Sequence, residues 1–311
     1  MTQRSDRAVG ITHALFAYGI WGILPIYLWF TLWFTRPTGT VELIAWRVLL
    51  SVVFCAAVLL ITRRWARFTA LLRDRRTVLL LALAGVLVLG NWLLYVWSVE
   101  LNKPLEGALG YYLNPLMSML FGMLVFGERL RPLQVLALGL AVAAVVVLIV
   151  GYGSPPWLSL SISITFALYG VVKKAISGRV DPVAGFMVET VMVTPVAVVL
   201  LVLVIAQGSL TFGTISPGHT VVLLFAGVIT SLPLVLFASA SAKLPLIEIG
   251  FFQFLAPTLQ FIAGLVLFRE HMPVERWIAF GIVWVALTVF VIDMVRNLRA
   301  SRNLVVPTPG A

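Results

Sequence analysis

Long apolar runs separated by short polar breaks dominate the chain. Ten runs approach or reach the roughly 20 mostly apolar residues that a membrane-spanning helix needs. They are Val9–Phe30, Val41–Thr62, Thr77–Val99, Leu105–Phe126, Pro132–Val150, Trp157–Val172, Val183–Ala206, His219–Ala240, Leu246–Phe268 and Val274–Val295. The breaks carry turn or charge signals, among them Arg36-Pro37-Thr38-Gly39, the basic stretch from Arg63 to Arg76, Asn102-Lys103-Pro104, Gly127-Glu128-Arg129 and Ser216-Pro217-Gly218. The pattern predicts an all-α polytopic membrane protein with ten transmembrane helices and no loop long enough for a soluble domain. Arg4 and Arg7 precede the first run as they would a signal peptide, but the run is too long for a signal-peptide core and is expected to be a true span.

The polar and small residues inside the runs repeat at an offset of 142. Pro115, Gly122, Phe126, Glu128 and Gly139 match Pro257, Gly264, Phe268, Glu270 and Gly281, and Ala84-Gly85-Val86 matches Ala226-Gly227-Val228. Gly110-Tyr111-Tyr112 resembles Gly250-Phe251-Phe252 with a two-residue slip. Lipid exposure does not demand glycine, proline and glutamate in register, so the match points to an internal repeat. The expected units are residues 1–150 and residues 151–311, the second ending in a short cytoplasmic tail. Each holds five spans, so the second copy starts from the opposite side of the membrane and is inverted. Inverted repeats are a transporter device that offers equivalent inward and outward states around one mid-membrane site.

Composition and charge narrow the class further. Apolar residues make up 61% and charged residues 11%, which excludes a soluble globular domain, a disordered chain and a coiled coil. The single cysteine, Cys55, excludes an intrachain disulfide and a cysteine metal cluster. The net charge of +10 would suggest nucleic acid in a soluble protein. Here its placement says otherwise. With the N-terminus inside, 17 basic residues fall on inner segments and four on outer loops, with Arg47 inside a span. That split places both termini in the cytoplasm and accounts for the charge without nucleic acid.

Several segments are similar to a known family. Ala17-Tyr18-Gly19-Ile20-Trp21-Gly22-Ile23-Leu24-Pro25 resembles the first-helix motif of the EamA-type drug/metabolite transporter superfamily. Asn91-Trp92-Leu93-Leu94-Tyr95, Leu109-Gly110-Tyr111-Tyr112-Leu113-Asn114-Pro115-Leu116 and the stretch from Gly250 to Phe261 resemble its RarD branch, named for chloramphenicol sensitivity. The likeness covers nearly the whole chain. It implies two inverted five-helix halves around a central cavity, in a permease of the bacterial inner membrane that moves small metabolites or amphipathic drugs, with outward transport expected. One departure stands out: the branch leads one to expect histidine before the second-helix arginine, and this chain has Trp46-Arg47.

Candidate site residues follow from polar stripes at helical spacing, since polar side chains in a membrane are costly. Asn91, Tyr95, Ser98 and Asn102 share one face of the third span; Glu106, Gly110 and Asn114 share one of the fourth, with Tyr111 beside them. Thr165, Tyr169 and Lys173 run along the sixth, and Gln253, Pro257 and Gln260 along the ninth. Tyr18, Trp21 and Trp92 add aromatic surface within spans, able to stack on an apolar or cationic substrate. The expected substrate-lining set is thus Tyr18, Trp21, Asn91, Trp92, Tyr95, Tyr111, Asn114, Tyr169, Gln253 and Gln260. Interhelical hydrogen bonding is the competing role for each. Trp29, Trp33, Trp65, Trp157 and Trp277 lie near span ends, as in an interfacial belt.

Charges within spans are candidates for coupling or gating. Arg47 and Glu189 are repeat equivalents, as are Glu106 and Glu248. An outer Arg47–Glu106 couple and an inner Glu189–Glu248 couple are expected, the inner one sharing a proton that drives exchange. Helix-dipole compensation is the simpler role for Glu106 and Glu248. The expected partners are therefore a small-molecule substrate, the bilayer and protons. No cofactor or metal is expected. His13, His219 and His271 have no metal-ligand spacing, and no catalytic motif is present, so an enzyme is not expected. A channel and an intramembrane enzyme are the alternatives to a carrier.

Overall fold

The computed structural model describes residues 2–32, 38–101, 104–152, 157–266 and 274–303. They form helices and, among the described residues, no strand. The helices are α1 (Thr2–Leu32), α2 (Thr40–Ile61), α3 (Trp65–Leu71), α4 (Arg75–Glu100), α5 (Pro104–Phe126), α6 (Pro132–Tyr152), α7 (Trp157–Ala175), α8 (Pro182–Ala206), α9 (Pro217–Ser241), α10 (Leu246–Gln253), α11 (Leu255–Val266) and α12 (Val274–Asn303).

Among the described residues nine segments are long and apolar enough to cross a membrane, counting α10 and α11 together; the apolar part of α6, Pro132–Val147, is shorter. Polarity is arranged as a lipid solvent requires. Large apolar side chains such as Val53, Leu79, Leu124 and Val199 stay exposed on the outside, while Asn91, Ser118, Thr190, Thr230 and Gln253 are buried. Trp65, Trp157 and Trp277 are exposed near helix ends, as expected of an interfacial belt; the Trp29 side chain and Trp33 lie outside the described residues.

Helix starts follow their local chemistry. Asp181 caps α8 by accepting from the Val183 and Ala184 amides, and Ser216 caps α9 by accepting from the His219 amide. Each cap is followed by proline, whose missing N–H is an orphan at that position anyway.

Two features depart from the sequence expectation. The basic stretch from Arg63 to Arg76 contains the short helix α3, which buries Phe68. The ninth apolar run is broken at Phe254, where the Phe254 amide turns tightly back to Phe251 O (3.2 Å). Pro257 has no N–H to donate to the Gln253 carbonyl four residues earlier, which weakens the helix at that point. Pro115, which the sequence matched to it at the offset of 142, sits inside the unbroken helix α5.

Packing joins the first six helices to the last six. α1 lies on α9 and on α11; α7 lies on α4 and α5. α2 packs on α8 and α9, α8 on α2 and α4, α5 on α10, and α6 on α12.

Candidate functional site: a cavity between the helices

A cavity of about 290 Å³ opens between these helices. α1 contributes Tyr18, Trp21, Leu24 and Tyr27; α2 contributes Thr40, Leu43, Ile44 and Arg47. α4 adds Asn91, Trp92 and Tyr95, and α5 adds Tyr111 and Asn114. Phe166 of α7, Thr230 of α9, and Gln253, Pro257 and Gln260 of α10 and α11 complete the wall. Nine of the ten residues expected to line a substrate site therefore share one cavity. Helical spacing explains why: residues four apart stack on one face, and each of these faces is turned toward the centre.

Tyr169 is the exception. It is fully buried one turn beyond Phe166, donates its hydroxyl to Glu189 Oε2 (3.3 Å) and stacks on Phe237 (ring centroids 5.6 Å apart). Its role is packing beneath the cavity. Tyr18, Trp21, Phe166, Tyr169 and Phe237 form one aromatic cluster, with neighbouring centroids between 5.2 and 6.5 Å apart. Three of them face the cavity and two lie behind it, so the cluster is its floor.

Several amides in the wall are already engaged. Asn91 Nδ2 donates to Ile162 O (2.7 Å) and Thr165 Oγ1 (3.1 Å), tying α4 to α7. Gln253 Nε2 donates to Ser118 Oγ (2.8 Å), and Gln260 Nε2 to Trp21 O (3.0 Å). These residues bridge helices and line the cavity at once. Asn114 Oδ1 is buried with no hydrogen-bond partner among the described residues. The Gln253 carbonyl oxygen and the Tyr18 hydroxyl are likewise buried with no hydrogen-bond partner among the described residues.

Arg47 enters the cavity from α2. Its Nε donates to Thr230 Oγ1 (2.9 Å), and its guanidinium carbon lies 4.1 Å from the centre of the Trp92 ring. The expected partner, Glu106, has its backbone in α5, but its side chain lies outside the described residues. Thr230 and Tyr27 were not singled out by sequence, because a lone hydroxyl in an apolar run carries no periodic signal.

The two acids expected on the inner side are not coupled to each other. Glu189 is ion-paired with Lys173, both side chains almost wholly buried. Glu248 is held by Arg7 (2.8 Å) and faces Arg131 (3.5 Å), which also pairs with Asp293 (2.5 Å). The expected Glu189–Glu248 couple is thus replaced by two separate pairs. The physical reason is that each acid has its own cation nearby, on α7 for Glu189 and on α1 and the α5–α6 connection for Glu248. Lys243 pairs with Asp6 (2.6 Å). Glu128 accepts from the Leu246 and Ile247 amides (2.8 Å each), and Lys174 Nζ donates to Leu244 O (2.6 Å). These contacts fasten the start of α1 and the α5–α6 connection to the residues around the start of α10. Sequence reasoning had used Arg7 and Arg131 only for topology and had not marked Asp293.

Residues 8–150 match the model of the EamA-like transporter family. A Streptomyces exfoliatus protein named Protein RarD is 40% identical over 303 residues, spanning 97% of this chain and 94% of its own length. The Protein RarD of Escherichia coli strain K12 is 36% identical, over 93% of this chain and 96% of its own. A Bacillus subtilis protein named Uncharacterized transporter YojE is 34% identical, over 97% and 99%. A solved crystal structure superposes with a TM-score of 0.68 at 20% identity, covering 92% of this chain and 96% of its own, and so shares the fold.

Proposed function

The chain belongs to the EamA-like transporter family, in its RarD type, and is a multi-pass membrane transporter; from that premise we propose that it is a secondary-active permease exporting small metabolites or amphipathic drugs by alternating access. The observation that carries this reading is one cavity walled by helices of both halves of the chain and fastened by ion pairs at one end.

The architecture proposed for it is ten membrane-crossing segments in two inverted repeats, residues 1–150 and 151–311. The packing pattern supports this. Pairing α1 with α7, α2 with α8, α4 with α9, α5 with α10–α11 and α6 with α12, and then exchanging partners, turns α1 on α9 into α7 on α4, and α2 on α9 into α8 on α4. The contacts α2 on α8, α5 on α10 and α6 on α12 map onto themselves. Gly85 and Gly227, 142 residues apart, also correspond. A Cβ on Gly85 would meet Glu189 O of α8 at 2.7 Å, and one on Gly227 would meet Leu50 O of α2 at 2.5 Å.

With both termini cytoplasmic at the inner membrane, as the basic split favours, the ion-paired end faces inward. The lining then runs outward to Thr40 at the start of α2, which supports an outward-facing reading of this state. Separating Arg7 from Glu248 and Arg131 from Asp293 would accompany inward opening. Alkaline phosphatase fused after Ala311 is expected to be inactive; activity would refute the inner placement of that end. Transport is tested in proteoliposomes: saturable uptake that accelerates when vesicles are preloaded with the same solute is expected of a carrier. Uptake that neither saturates nor counterflows would point to a channel.

A further inference from the structure

Resting on the carrier reading above, we infer that the substrate carries a single carboxylate, received by Arg47, on a small aromatic or apolar body. Arg47 is the only charged side chain among the described residues lining the cavity. Its hydrogen-bonding edge is only partly used: Nε donates to Thr230, while no protein acceptor engages the two terminal nitrogens among the described residues. Those nitrogens are also absent from the buried polar atoms without partners, so they reach the open space of the cavity. A guanidinium pinned through Nε and stacked on Trp92 is fixed in orientation. The planar pair of terminal N–H groups is the half of a fork that matches two carboxylate oxygens. Stacking and the Thr230 bond hold this fork ready before ligand arrives, which lowers the ordering cost of binding.

Charge sets the class. A membrane-embedded cation without an acid is costly, and a monoanion neutralises it with no charge left over. A phosphate monoester brings close to two charges and would leave one uncompensated among these residues. A cationic amine would face a like charge. Size sets the body: about 290 Å³ lies at the lower end for small-molecule sites. The Trp21, Trp92, Tyr95 and Tyr111 rings offer stacking surface to one ring or a short apolar chain.

The test compares matched ligands on the purified full-length chain by thermal shift and counterflow. The probes are phenylacetate, its neutral amide phenylacetamide and 2-phenylethylammonium, with butyrate and butyramide as the non-aromatic pair. The carboxylates are expected to stabilise the wild type and to exchange across vesicles, binding roughly tenfold or more tightly than their amides. Arg47→Gln should erase the carboxylate preference, and Arg47→Lys, which keeps charge without the fork, should retain part of it. The amide comparison within the wild type reads the same preference should the Arg47 variants not fold. Equal binding of carboxylate and amide, preference for the ammonium, or no carboxylate binding at all overturns the inference. Counterflow of neutral or cationic probes alone would overturn it while leaving the carrier standing. Carboxylate binding with no saturable transport would count against the carrier and leave the site intact.

Discussion

Lys173 and Glu189 face each other in the core between α7 and α8, with Tyr169 on the second carboxylate oxygen. Removing one partner of a buried pair leaves an uncompensated charge, at a cost of about 3–5 kcal/mol, whereas replacing both by apolar groups is often nearly neutral. Glu189→Gln is therefore expected to lower the melting temperature in detergent sharply, and Lys173→Met with Glu189→Leu to recover most of the loss. Additive losses in the double variant would show that the two side chains do not act as a pair. Asp74, at the start of α4, is exposed; the Thr77 hydroxyl first, then the Thr77 and Arg76 amides, hold its carboxylate below the usual range. A carboxyl lowered by folding adds stability above its unfolded pKa of about 3.9 and loses it as pH falls through the folded value. The melting difference between wild type and Asp74→Ala should thus be present at neutral pH and shrink in acid below that point. A difference unchanged by acid would mean that the carboxylate charge is not what caps the helix.

Helix contacts depend on small residues where backbones nearly touch. Gly227 admits Leu50 of α2 so closely that any side chain must displace backbone. Gly227→Leu is expected to cost at least the roughly 1–3 kcal/mol of ordinary overpacking, whereas the same change at Gly139, with nothing near its added Cβ, should be well tolerated. Equal melting of the two variants would refute the close crossing. The apolar runs that give these helices were legible in sequence because lipid rewards length and apolarity directly. Gly85 and Gly227, 142 residues apart, were legible as a matched pair, and each is pressed against the backbone of a neighbouring helix. Helix α3 was not, since Trp65 and Phe68 sit among arginines and seven residues give too short a period to read. Nor was the break at Phe254, because the matching proline, Pro115, leaves its own helix continuous.

For the whole molecule, nine of the ten side chains drawn from the polar stripes and the in-span aromatics meet in one cavity, while Ser98, Thr165, Tyr169 and Lys173 of the same stripes do not line it. The pairing of the acids escaped sequence reasoning because it depends on which helices become neighbours. Nothing in local spacing brings Arg7 to Glu248 across 241 residues. On the proposed alternation, Glu248→Gln loosens the inner closure. Cys55 is fully buried and lies near the Lys173–Glu189 pair, below the aromatic floor. A maleimide reagent is expected to label it slowly in the wild type and several-fold faster in Glu248→Gln, with Asn91→Ala, far from the inner latch, as the comparison. Equal labelling of wild type and Glu248→Gln would show that the ion pair does not hold that end shut.

The guanidinium of Arg47, the one charge among the described residues lining the cavity, also makes the molecule an electrical device. An empty carrier presents one positive charge to the transmembrane field at its binding site, and a carrier loaded with a monoanion presents none. Moving a full charge through the membrane field is worth about 2.3 kcal/mol per 100 mV, and the site experiences some fraction of that when its access switches sides. An inside-negative potential should therefore bias the empty form toward the inward-facing state, where it would meet cytoplasmic substrate, and leave the loaded step indifferent to voltage. On solid-supported membranes, a charge displacement is expected from the unloaded wild type and should vanish in Arg47→Gln. Its persistence in that variant would place the mobile charge elsewhere.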